Sequence, residues 1–199
     1  RVSTRLSEWW VLKGHEVSFY TTMQPPEKEY AISSSIRRYY CHKASNGMML
    51  IKNLHKSIKA DHPDIVLIMD TPMTVYAIPA LCGLNIPSVL SERSDPNTNA
   101  IKKKTRYLSR ILMKFCSGYV FQTNGAKSCY TFLKNRKSAV IPNPIIMNEL
   151  PKRYIGKRQK KVVAMGRLIP AKNYPLLIRA FSDFYVSHPD YCLEIYGDG

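Results

Sequence analysis

The chain has 199 residues, 45% of them hydrophobic, and carries 30 Lys/Arg against 14 Asp/Glu for a formal charge of +16. That apolar share supports a packed core and excludes a disordered chain, and the length allows one large domain or one domain with part of another. Five cysteines show no CxxC pair and no Cys/His spacing that would suggest a metal cage, which points to reduced thiols, and no apolar run reaches the ~18 residues of a spanning helix.

Residues 1–13 open inside a helical pattern with Val2, Leu6, Trp9 and Trp10 on one side, and Gly14 is placed to end it. With Arg1 at the start and the strand and turn LEIYGDG at the end, the chain reads as an interior fragment of a longer one. HEVSFYTT at 15–22 predicts a strand, 46–60 a helix, DIVLIM at 64–69 a buried strand, 74–83 a helix and IPSVLS at 86–91 a strand. A basic helix follows at 99–116, then the strand GYVFQT at 118–123, a helix at 124–134 and the strand SAVIP at 138–142. Near-continuous apolar strands separated by helices predict a parallel sheet covered on both faces. The reading is a Rossmann-like α/β domain over 1–145 that lacks its first strand, a Pro- and Lys/Arg-rich connection at 146–161, and the truncated start of a second Rossmann-like domain at 162–199.

That second start reads VVAMGRLIPAKNYPLLIRAF: an apolar strand, a break at Gly166, and a helix with Leu176, Leu177, Ala180, Phe181 and Phe184 spaced to dock on the sheet. Arg167 and Lys172 leave the carboxyl end of the strand beside the free N–H groups of a helix start, an arrangement suited to a diphosphate. The plainer alternative is a solvated pair of loop cations. Glu92, Arg93 and Asp95 also follow a strand. Glu92 and Arg93 are read as lining a site and Asp95 as structural, against the alternative that Ser94 or Asp95 simply caps a turn.

These motifs carry a resemblance. GRLIPAKNYPLLIRAF with LEIYGDG resembles the donor-binding half of family 4 glycosyltransferases, which have the two-domain GT-B fold. KGHEVSFYT, PDIVLI, IPSVLSERSDPN and AVIPNPI resemble the N-terminal domain of the same family in the same order. The resemblance implies a retaining transferase that moves a sugar from a nucleoside-diphosphate sugar, UDP-linked first, to a glycan or lipid-linked acceptor in surface polysaccharide synthesis. It makes Arg167 and Lys172 the catalytic cations on the departing diphosphate. Gly166, Arg167, Lys172, Gly197 and Gly199 become donor-binding, and Glu92 and Arg93 acceptor-side. It implies no metal and no other cofactor. It also places the glycine-rich loop of the first strand before Arg1 and an E-x7-E element after Gly199, so the chain as given is expected to be inactive alone.

The basic helix at 99–116 places Ile101, Leu108, Ile111, Leu112 and Phe115 on one side, read as the core side. Lys102, Lys103, Lys104, Arg106, Arg110 and Lys114 bring six cations and no acid. They are either a solvated back or a surface for anionic lipid, which would put a cytoplasmic protein on the inner face of the cytoplasmic membrane. His15, His42, His55, His62 and His188 have no ligand spacing, and Tyr39 and Tyr40 beside Arg37 and Arg38 are either packing or a sugar platform. The competing class is a non-catalytic basic α/β module that binds nucleic acid or an anionic membrane. No aromatic RNP-like strand, helix-turn-helix or zinc pattern supports the nucleic-acid form.

Overall fold

The computed structural model describes residues 2–23, 31–41, 44–96, 101–145 and 150–199. His42, the 99–100 start of the expected basic helix and the 146–149 start of the expected connection lie outside them. The chain forms two compact units, Arg1–Ile145 and Ile146–Gly199.

In the first unit, the helix α1 (Val2–Leu12) leads through Gly14 into strand β1 (Ser18–Thr21), which pairs in parallel with β2 (Arg37–Tyr40). Helix α2 (Gly47–Asp61) follows. Asn46 caps it by accepting from Met49 N at 2.9 Å, and Leu50, Leu54 and Ile58, one turn apart, are buried. A second sheet runs β3 (Val66–Met69), β4 (Ser88–Glu92), β5 (Gly118–Phe121) and β6 (Ser138–Val140), all parallel and in that order. Helices α3 (Thr74–Leu81), α4 (Lys103–Leu112) and α5 (Asn124–Ser128) make its crossovers. Ile58, Ile68, Leu90, Met113, Tyr119 and Phe121 form the centre of the core. This is the expected Rossmann-like parallel sheet.

Asp61, the last residue of α2, ties that helix to the smaller sheet. It accepts from Tyr20 Oη at 2.6 Å and Tyr39 Oη at 2.9 Å, and Arg37 lies 3.2 Å away. The two tyrosine rings stack at 5.2 Å. Tyr39 therefore packs, whereas Tyr40 is exposed with the Arg38 guanidinium 4.9 Å over its ring.

In the second unit, β7 (Lys161–Met165) pairs in parallel with β8 (Cys192–Tyr196) and α6 (Tyr174–Ser187) connects them. Leu177, Phe181 and Phe184 are half-buried, but Leu176 and Ala180 are exposed, so the docking stripe is narrower than the spacing predicts. Two further expectations are corrected, and one strand is found where none was read. Arg37–Tyr40 is a strand, although its charges hide it. The helix expected at 124–134 stops at Ser128, because Tyr130 turns into the core and a 3-10 turn, Thr131–Leu133, follows. The core side of the basic segment is another: Thr105, Ser109 and Leu112 of α4, with Met113 and Cys116 of the 3-10 turn after it, turn inward, and Leu108, Ile111 and Phe115 are exposed.

Candidate functional site

Open parallel sheets bind ligands beyond the carboxyl ends of their strands. In the first unit that edge carries Asp70 after β3, Glu92 to Ser94 at the end of β4, Gln122 after β5 and Asn143 after β6. Asp70 has φ 79 and ψ 138, a backbone state disfavoured for any residue but glycine. Its carboxylate holds the turn after β4, accepting from Ser94 Oγ at 2.9 Å to each oxygen and from Arg93 N at 3.4 Å.

Glu92 is buried beside it. Its Oε2 accepts from Tyr130 Oη at 2.5 Å and from Thr71 Oγ1, and its Oε1 from Ser94 N at 3.1 Å. Burial pushes the Glu92 carboxyl above its usual range; Thr71, Tyr130 and the Ser94 amide draw it back, and Asp70 adds to the rise. Burial and then Glu92 push the Tyr130 hydroxyl up in turn. Thr71, Glu92, Ser94, Asp95 and Tyr130 line a small notch closed by Arg106, Ser109 and Arg110 of α4. Arg93 points elsewhere: its guanidinium donates to Asn143 Oδ1 and, with the Gln122 amide oxygen turned toward it, to Gln122 at 3.1 and 3.2 Å. Among the described residues no carboxylate pairs with this guanidinium.

Glu92 and Arg93 thus both stand at the carboxyl edge, one buried at a small notch and held by hydroxyls and an amide, the other fixed by side-chain amides. Sequence reasoning missed Asp70, Gln122 and Asn143, although each follows a strand and that position was the available signal. Thr71, Ser109 and Tyr130 have no local signal, because only the packing of distant segments brings them to Glu92.

In the second unit, Gly166–Leu168 lies along Gly197–Gly199. Gly166 N donates to Tyr196 O at 2.9 Å and Leu168 N to Asp198 O at 2.8 Å. A Cβ on Gly197 would stand 1.9 Å from Gly166 O, so no side chain fits there, and one on Gly199 would stand 2.8 Å from Leu168 Cβ. Tyr174 Oη donates to Gly166 O at 2.8 Å. Lys172 ends a 3-10 turn, and its Cε lies 3.7 Å from where a Cβ on Gly166 would be. Arg167 and Lys172 are exposed, with no ion-pair partner among the described residues. The structure therefore brings Gly166, Arg167, Lys172, Gly197 and Gly199 into one loop cluster. The start of α6 adds fewer free N–H groups than expected: Pro175 has none, and Leu176 and Leu177 donate to Asn173 O.

The basic segment divides. Lys102 precedes α4, Lys103 and Lys104 are exposed in its first turn, and Arg106 is half-buried in the Glu92 notch, with Arg110 at its rim. Between the outer cations, Tyr107 and Phe115 are each 71% exposed, Leu108 42% and Ile111 40%. Among the described residues no group of three His, Cys, Asp or Glu could hold a metal ion, and no helix is long and apolar enough to cross a membrane.

Residues 1–149 match the model of Glycosyltransferase Family 4. The whole chain is 24% identical over 207 residues to an uncharacterized glycosyltransferase of Haemophilus influenzae and spans 58% of it. Among solved structures, TarM aligns with a TM-score of 0.59 and 16% identity over 75% of this chain and 31% of that one. S. aureus TarM in complex with fondaparinux, alpha-GlcNAc-glycerol and UDP aligns at 0.56 and 15% identity, over 75% of this chain and 32% of that one. The chain thus spans about three fifths of its curated relative. The structural likeness shows the fold, an α/β architecture of the GT-B type.

Proposed function

The chain belongs to Glycosyltransferase Family 4, and we propose that the full-length protein is a retaining glycosyltransferase using a nucleoside-diphosphate sugar, UDP-linked first. In this reading the sugar passes to a glycan or lipid-linked acceptor in surface polysaccharide synthesis. The observation that carries it is the loop cluster of the second unit, where two unpaired cations flank a backbone approach that only glycine allows. The presence of UDP in the S. aureus TarM complex supports the choice of nucleotide.

As the bond from the anomeric carbon to the phosphate oxygen breaks, negative charge builds on the departing diphosphate. Arg167 supplies a planar fork of donors and Lys172 a point charge, and neither has to leave a carboxylate partner to reach the leaving group. Cations already oriented before reaction stabilise that charge more in the transition state than in the ground state. No metal is required for this step in the proposed mechanism. Arg93, held by Gln122 and Asn143, and the Glu92 notch serve the acceptor side.

Isothermal titration of UDP into the full-length protein tests the reading. Arg167→Ala and Lys172→Ala should each weaken binding by about tenfold or more, the worth of one charge-assisted contact. Unchanged affinity in both variants would sink it.

A specific observation also favours attachment to an anionic membrane face. The apolar residues of α4 that the core leaves out stand among Lys103, Lys104, Arg110 and Lys114, the composition of a helix that lies in a lipid interface. This would place the protein on the inner face of the cytoplasmic membrane.

A further inference from the structure

The notch under α4 has a feature that packing does not explain. Ser109 is only 1% exposed, and its Oγ has no hydrogen-bond partner among the described residues. Buried hydroxyls are nearly always paired, because an unpaired one forfeits its hydration for nothing. Ser109 lines the same space as Thr71, Glu92, Tyr130, Arg106 and Arg110, and Pro72, Pro96 and Ile101 complete its wall. That space is about 10 Å³, close to what one water molecule or one hydroxyl group fills.

We propose that this notch is a binding subsite for a single hydroxyl group of a sugar or polyol, received between Ser109 and the Glu92 carboxyl. The lining selects the guest. A phosphate is too large for the volume, even though Arg106 and Arg110 are among the lining residues. An apolar group would leave Ser109 unpaired. A hydroxyl both donates and accepts, so it can give its hydrogen to a carboxyl oxygen and take one from Ser109. Thr71 and Tyr130 already donate to Glu92 and hold that carboxyl in place, which makes them positioning residues. The notch lies at the carboxyl ends of β3 and β4, where Arg93, Gln122 and Asn143 continue the same edge. This identifies the hydroxyl as one of the acceptor, and that identification alone rests on the transferase reading.

The test follows backbone amide shifts of the ¹⁵N-labelled full chain during titration with methyl α-glucopyranoside and, separately, glycerol. Wild-type protein should show saturable shifts centred on the Ser94 and Ser109 amides. Ser109→Ala should weaken the apparent Kd about tenfold, the loss of one buried hydrogen bond. Ser109→Val, which fills the notch with methyl groups, should abolish the shifts while a thermal melt shows the protein folded. Glu92→Gln keeps the shape and should weaken binding less than Ser109→Val. No saturable shift in wild type with either probe would overturn the proposal, as would a titration that Ser109→Val leaves unaltered, which puts the probe elsewhere. UDP titrated separately into wild-type protein reports on the transferase reading, so loss of that reading and loss of the hydroxyl subsite appear in different measurements.

Discussion

Asp61 and Glu92 are buried carboxyls with opposite electrostatic fates. Around Asp61, burial alone would raise the pKa, but hydrogen bonds from Ser18, Tyr20 and Tyr39 and the charge of Arg37 overcome it and hold the group below its usual value. A depressed folded pKa gives stability that is full above the unfolded value, about 3.9, and is lost as pH falls through the folded one. Asp61→Asn should therefore cost about 2 kcal/mol near neutrality, the worth of hydrogen bonds to a charged acceptor, and should lose the acid limb of the stability curve. Glu92 runs the other way. Its folded pKa is raised, first by burial and also by Asp70, so its contribution is full below the unfolded value of about 4.3 and declines as pH rises through the folded one. The groups around it are Asp70, Asp95, Tyr130, Arg106 and Arg110. Glu92→Gln should flatten that decline on the alkaline side. Thermal melts of wild type and both variants across acid to neutral pH check the pair, and parallel curves for all three would refute the assignment.

Helix α4 shows where a sequence reading of faces succeeds and where it stops. Both of its long sides hold apolar residues, so hydrophobicity could not decide which one docks. The core beneath is filled by Leu90, Met113 and Phe121, and beside them lies the polar Glu92, which Ser109 and Arg106 suit better than Leu108 and Phe115 do. The strands DIVLIM, IPSVLS and GYVFQT were legible because a strand buried on both faces must be apolar throughout. Arg37–Tyr40 was not, since its partners are tertiary: Tyr39 stacks on Tyr20 and both donate to Asp61. The clustering of Gly166, Arg167 and Lys172 could be read from glycine and cation spacing within one short stretch. The Glu92 site could not, because Thr71 is 21 residues from Glu92 in sequence and Tyr130 is 38. The exposed side of α4 then makes its own prediction. Reversing Lys103 and Lys104 to Glu should lower binding to phosphatidylglycerol vesicles by roughly 30-fold or more, at about 1 kcal/mol per cation lost. Leu108→Glu with Phe115→Glu should also release the protein, which charge alone would not require. Vesicle cosedimentation unaffected by either pair would remove the membrane surface.

The two units differ in how far each can stand alone. Residues Arg1–Ile145 enclose a core in which Leu90, Met113, Tyr119 and Phe121 are essentially sealed, supported by four paired strands and the helices over them. The described part of the second unit, residues 150–199, has two strands and one α-helix, no fully buried side chain in α6, and Val163, Met165 and Tyr196 exposed on β7 and β8 at 56%, 83% and 51%. A unit this small seals off little apolar surface, and its charged pairs Lys161–Glu194 and Lys160–Asp190 lie at the surface, where such bridges contribute about 0–1 kcal/mol. The Gly166–Leu168 loop is held only while β7 and β8 stay paired, since Gly166 and Leu168 bond across to Tyr196 and Asp198. In the proposed function, the loop that meets the diphosphate therefore sits in the less stable unit of this chain. Residues 1–145 expressed alone should melt cooperatively by circular dichroism, whereas residues 146–199 alone should show no cooperative transition. UDP added to that short piece should leave its melting profile featureless. A sharp transition in the isolated 146–199 segment would mean that its strand pair and helix suffice, and that burial of the exposed β7 and β8 side chains is not what its stability lacks.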